Sequence, residues 1–167
     1  MSTNRNASAL PPNESVATRA LSTLLRAELS ACEAYRTAVH AIERGADCPA
    51  LSLRCLYRSH RRAADELHSE IRRLQGRPIE TAGATGVWSE VHERIASARG
   101  PADFPETLRA LLRGERFSLE LACRAVHGLG DSGSDGVRRR LVEGILANIG
   151  LIEALEKSLL ATDDTPA

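Results

Sequence analysis

Four polar residues stand where the pattern of the chain calls for apolar ones. Glu28 lies between Leu25 and Cys32, His60 between Leu56 and Ala63, Glu115 between Leu111 and Leu119, and Asn148 between Ile145 and Ile152. Each is three or four residues from its apolar neighbours. That spacing puts a side chain on the same face of a helix as those neighbours, not on the opposite one. Two carboxylates and an imidazole are ligand types that suit Fe, Mn, Zn or Co. Without a cation the same carboxylates would repel, so one is protonated or a charged His60 sits between them. Two readings follow. In the first, Glu28, His60 and Glu115 hold one divalent metal ion, with Asn148 or water assisting. In the second, the four residues form a hydrogen-bonded cluster with no cofactor, and this is the reading adopted.

The elements that must position these residues are helical throughout. Apolar residues recur at intervals of three and four, with no run of strand alternation. Helix A is expected over residues 14–44, with the stripe Leu21, Leu24, Leu25, Cys32, Tyr35, Val39 and Ile42. Asp47 and Pro49 then open helix B, which runs to residue 75 and is stopped by Gly76 and Pro78. A loop and a short helix over residues 86–98, carrying Trp88, Val91 and Ile95, precede helix C at residues 105–127. A turn rich in glycine and serine leads to helix D at residues 135–160.

The links A–B and C–D are short, so each pair is an antiparallel hairpin. The B–C connection is long enough to cross a bundle about 35–40 Å tall. The expected fold is therefore all-α: a ferritin-like four-helix bundle, two antiparallel hairpins joined by a long crossover that contains a short helix. One domain at 14–160 is flanked by a disordered N-terminal tail (1–13) and a frayed C-terminal tail (161–167).

The heights of the four polar residues agree with this. Residues equidistant from a hairpin turn lie at one level. Glu28 and His60 centre on position 44, at the edge of the A–B turn. Glu115 and Asn148 centre between Asp131 and Ser132, inside the C–D turn. If the hairpins align, all four share one interior layer.

The stretch LLRAELSACEAYRTAVHAI resembles the first helix of bacterioferritin-type proteins, with Glu28 at a ligand glutamate. The stretch LLRGERFSLELACRAV resembles their third helix, with Glu115 at another. The insert GRPIETAGATGVWSEVHERIASA is closer to bacterial proteins with a ferritin-like domain of unknown function. The resemblance implies the ferritin-like fold, and self-association comes with it. It also implies Glu-x-x-His on helices B and D, completing a di-iron site. Here those positions read His60-Arg61-Arg62-Ala63 and Asn148-Ile149-Gly150-Leu151, and no histidine follows His127. At least four of the six implied side-chain ligands are absent or replaced, which argues against ferroxidase chemistry and against an enzyme.

Composition bounds the rest. The chain has 167 residues, with 22 basic and 22 acidic side chains and a net charge of zero. That excludes a broad electrostatic grip on nucleic acid or an anionic membrane. No run of about 18 apolar residues suggests a membrane span. The N-terminus carries no secretory signal, so a cytoplasmic location is expected. Cys32, Cys48, Cys55 and Cys123 lack metal-ligand spacing and are read as reduced thiols.

Among lesser candidates, Asp65 and His68 flank the helix B stripe and are expected at the rim. His40, His92 and His127 are read as surface or cap residues. Tyr35 and Tyr57 are read as core residues that each find one hydrogen bond. Arg54, Arg58, Arg61, Arg62 and Arg138 to Arg140 read as ion-paired surface. No phosphate loop, nucleophile elbow or hydrolase pair is present. Trp88 and Leu159-Leu160 are the sequence's own support for self-association. The functional expectation is a non-enzymatic helical protein that self-associates as a homo-oligomer. Its alternatives are a mononuclear metal protein or oxidoreductase, and an adaptor for a protein partner.

Overall fold

Ser15 opens the first helix. Its hydroxyl accepts the backbone N–H of Thr18 at 3.1 Å, satisfying one of the donors that a first turn leaves unpaired. From there α1 runs Val16–Ile42. The computed structural model describes residues 15–42, 49–81, 86–98, 103–125, 129 and 133–163. The remaining helices are α2 (Pro49–Arg73), α3 (Val87–Ser97), α4 (Phe104–Arg124) and α5 (Asp135–Asp163). The described residues contain no strand, so the protein is all-α as expected. The last helix continues to Asp163, three residues into the segment expected to fray. The expected tail 1–13, the cap at Asp47, Cys48, and His127 with most of the glycine-rich turn lie outside the described residues.

The end of α2 differs from expectation in an instructive way. Gln75, not Gly76, takes the left-handed conformation, at φ 61°. The Gly76 N–H bonds the Ile71 carbonyl at 2.9 Å and the Gln75 N–H bonds that of Arg72 at 2.9 Å. This pair of bonds closes the helix in a Schellman turn. Gly76 serves packing instead: a Cβ there would lie 2.3 Å from the Thr18 methyl of α1.

That contact puts the end of α2 beside the start of α1, so the two helices are antiparallel. Helix α4 pairs with α5, where Arg109 bonds Glu156 at 3.1 Å and Arg116 lies 3.5 Å from Glu153. Helix α5 also packs on α2, where Arg140 bonds Glu66 at 2.9 Å and Asn148 lies 3.2 Å from His60. In both pairings residue numbers rise on one helix as they fall on the other, so both are antiparallel. Helices α2 and α4 therefore run the same way, and their connection must travel the length of the molecule. Helix α3, within that connection, packs against α1 and α4.

The apolar stripes read from the sequence are the core. Leu21, Leu24, Leu25, Leu53, Leu56, Leu67, Ile71, Leu108, Leu111, Ile145 and Ile152 are all buried. On α2 the buried position is Ala64, not the expected Ala63, which is only half-buried. The core is divided in two. One apolar cluster gathers Tyr35, Leu53, Leu56, Trp88, Leu108, Leu111 and Ile152. The other gathers Leu21, Leu25, Ala64, Leu67, Ala122 and Ile145. In sequence, His60 and Asn148 each fall at the junction between members of the two, and Glu28 lies within one turn of it.

Trp88 is buried, with its indole N–H donating to Ser118 Oγ at 2.9 Å. It therefore lends no exposed surface to self-association, contrary to the sequence expectation. Its ring packs on Gly114, where an added Cβ would lie 2.6 Å from two ring carbons. Gly114→Ala should consequently destabilise the protein by about 1–3 kcal/mol, despite alanine's better helix propensity. Urea unfolding followed by the fluorescence of this single tryptophan reads the effect. No loss of stability would mean that α3 shifts freely on α4. No described helix is long and apolar enough to cross a membrane.

Candidate functional site

All four interrupting residues meet. Glu28 on α1, His60 on α2, Glu115 on α4 and Asn148 on α5 are 2%, 1%, 0% and 6% exposed. His60 Nδ1 lies 2.7 Å from Glu28 Oε2, and His60 Nε2 lies 2.7 Å from Glu115 Oε1. The Asn148 amide donates to Glu115 Oε1 at 3.4 Å and lies 3.2 Å from His60 Nε2. The layer expected from the hairpin midpoints is thus formed, with one helix supplying each member.

Tyr35 joins as a fifth member. Its hydroxyl donates to Glu115 Oε1 at 2.6 Å, and its ring stacks on the imidazole at 5.0 Å between centroids. The sequence placed Tyr35 on the same face of α1 as Glu28 but did not pair it with Glu115. The indole of Trp88 meets the imidazole edge-on at 5.9 Å. Helix α3 therefore covers the α1–α4 side of the layer with aromatic surface.

The electrostatics follow from burial against pairing. Burial drives His60 toward its neutral form, but the charges of Glu115 and Glu28, reinforced by hydrogen bonds to both, outweigh it. Its pKa rises from 6.5 to about 10. Burial and the Glu115 carboxylate push the Tyr35 phenol well above its ordinary value of 10.0. Burial, then the charge of Glu28, pushes the Cys32 thiol up to about 12, so this thiol is an inert apolar filler at neutral pH. The second oxygen of Glu115 is buried and makes no hydrogen bond among the described residues.

The two carboxylates approach the ring from opposite nitrogens. One imidazole bridges them, and a single ion bound at either nitrogen would have the other carboxylate beyond the ring. Among the described residues no three histidine, cysteine, aspartate or glutamate side chains are arranged to hold a metal ion.

On the α2–α5 side the layer is open to a cavity of about 290 Å³. Glu28, His60 and Asn148 form its floor. Exposed Arg62, Arg140 and Glu143 stand at its mouth. Ala63 lines it, which explains why that residue is not closed into the core.

The lesser candidates are scattered. His68 is a quarter exposed, 3.6 Å from Glu80. His40 is exposed and His92 half-buried. Cys55 and Cys123 are exposed free thiols. Arg61 and Arg62 lie 3.4 and 3.6 Å from Asp65 and Glu66, as a solvated ion-paired face requires. Sequence reasoning missed a third buried acid. Glu70 accepts from Ser134 Oγ at 2.6 Å and from Arg73 at 2.7 Å, tying α2 to the residue before α5. The Arg73 guanidinium holds the Glu70 carboxyl below its ordinary range. Its one available signal was an i, i+3 arginine on the same helix.

Comparison with protein-family models, with curated proteins and with solved structures finds no match to this chain.

Proposed function

We propose that this protein is a ferritin-like four-helix bundle whose polar layer is held together by a protonated histidine in place of a metal. Its role is non-enzymatic. The observation that carries the reading is the pair of hydrogen bonds made by His60, whose two ring nitrogens each lie 2.7 Å from a different buried carboxylate. An imidazolium offers two N–H donors and one positive charge, which is what two facing carboxylates need. The antiparallel pairs α1–α2 and α4–α5, with the long connection between them, fit the ferritin-like path. Self-association belongs to the same reading, and Leu146 and Leu151 on α5 supply exposed apolar surface for it.

One observation favours a second reading. The unpartnered buried Oε2 of Glu115 would be satisfied by a divalent ion such as Fe, Mn, Zn or Co, held with His60 Nε2 and Asn148. Such an ion must displace the proton on His60.

Plasma mass spectrometry on natively purified protein, before and after reconstitution with Fe(II), Mn(II) and Zn(II), separates the two. The expected result is no stoichiometric metal at neutral pH, with ¹⁵N resonances showing both His60 nitrogens protonated. Metal near one equivalent in the wild type, absent from Glu28→Gln/Glu115→Gln, would overturn the proton-held reading.

A further inference from the structure

The charge of the layer does not depend on where its protons sit. Each 2.7 Å bond from His60 carries one bridging proton. Two carboxylates and an imidazole sharing two such protons keep a net charge of −1, whichever atom holds each. That charge is buried, and burial without a counter-ion is costly. The described residues that touch the layer add none: Tyr35 and Asn148 are neutral hydrogen-bond donors, and Trp88 contributes only a ring edge.

The cavity between α2 and α5 leads to this charge. Its floor holds three polar side chains that are each more than nine-tenths buried: Glu28, His60 and Asn148. Its walls are apolar, from Ala63 and Leu67 on α2 and Val137, Leu141 and Ile145 on α5. Its mouth is balanced, because Arg62 and Arg140 face Glu66 and Glu143 there, and Arg140 bonds Glu66 at 2.9 Å. The volume of about 290 Å³ sits at the lower limit for small-molecule sites. A negative floor, greasy walls and a neutral rim define one ligand class.

We propose that this cavity binds a small organic monocation, a primary ammonium on a short aliphatic chain, with its head at Glu28 and its tail between α2 and α5. The inference rests on the metal-free layer, since a bound metal ion would already supply the missing positive charge. Glu28 accepts one ammonium hydrogen bond and the side-chain carbonyl of Asn148 is the natural second acceptor.

The probe is n-butylammonium, titrated into full-length protein whose metal content has first been measured, with binding read by calorimetry or ligand-observed NMR. n-Butanol and butyrate are the neutral and anionic controls. A charge-assisted hydrogen bond contributes enough to make n-butylammonium at least about tenfold tighter than n-butanol, and butyrate should not bind. Gly144→Leu should abolish binding. Gly144 lines the cavity, and a Cβ there meets nothing within 4 Å, so a larger side chain can be placed at the cavity wall without a clash at its first carbon. Gly150→Leu, on the same helix but outside the cavity and equally unobstructed, should bind as the wild type does. Equal affinity for n-butanol, or binding that survives Gly144→Leu, overturns the proposal. So does no binding to protein shown to be metal-free, and that result leaves the proton-held layer standing. Stoichiometric metal in the purified protein overturns both.

Discussion

His60→Leu should lower the stability of the protein by about 3–5 kcal/mol. Each kcal/mol is worth about 2–4 °C in a chain of this size, so Tm should fall by roughly 10 °C or more. Leucine keeps most of the packing against Tyr35 and Trp88 and removes the group between two carboxylates. Glu115 is 0% exposed and has no water to turn to, and Glu28, 2% exposed, meets water only at the floor of the cavity. The loss is therefore mainly the cost of stranding two buried acids, and a thermodynamic cycle isolates it. In a Glu28→Gln/Glu115→Gln background the same His60→Leu change strands no charge. It should cost at least about 2 kcal/mol less there, because the interaction energy of residues in one bonded network appears as non-additivity. Urea unfolding of the four proteins gives the numbers. Equal costs in both backgrounds would mean that His60 matters for its shape and not for its bonds.

The layer was legible because two independent periodicities pointed to it. The apolar stripes placed Glu28, His60, Glu115 and Asn148 on inward faces, and the hairpin midpoints put each pair at one height. What periodicity cannot carry is which neighbours touch across non-sequential helices. Tyr35 was on the right face of α1, but its bond to Glu115 depends on α1 and α4 being adjacent, which no hairpin enforces. Ala63 and Ala64 are adjacent on α2, and only the position of α5 decides that the first lines a cavity and the second is buried. Trp88 looked like spare apolar surface on a short helix. Its burial depends on Gly114, which in sequence is merely a weak point in α4 and in space is the socket for an indole. At the end of α2 the sequence marked the stop but not which residue turns left-handed: that is Gln75, and Gly76 is needed one step later, where Thr18 leaves no room for a Cβ. Glu70 did not stand out in the sequence, because its partner beyond α2, Ser134, lies 64 residues away.

Stability should fall as pH rises from neutrality, which is the reverse of the usual behaviour of a protein held by carboxylate pairs. His60 titrates at 6.5 when unfolded and about 10 when folded. Its contribution is complete below pH 6.5, where both states are protonated. Above that the unfolded chain gives up the proton and the folded one keeps it. Each further pH unit then costs about 1.4 kcal/mol, until the folded group itself titrates near 10. The whole contribution is on the order of 5 kcal/mol, and about 2 kcal/mol of it should disappear between pH 7.5 and 9. That window isolates His60 from its neighbours. Cys32 (ordinary value 9.0) and Tyr35 (ordinary value 10.0) both have raised folded values. They too remove stability with rising pH, but only from about pH 9 upward. Among the described residues, α4 and α5 bring Glu115 and Asn148 to the ring, and α3 brings Trp88. Urea unfolding at pH 6.5, 7.5, 8.25 and 9 should therefore show a steady decline in the wild type. His60→Leu should be nearly flat over the same range, so the gap between the two closes as the histidine loses its proton on unfolding. A wild type as flat as the variant would mean that the folded layer holds no more protons than the unfolded chain, so that only one of the two bonds to His60 carries a proton.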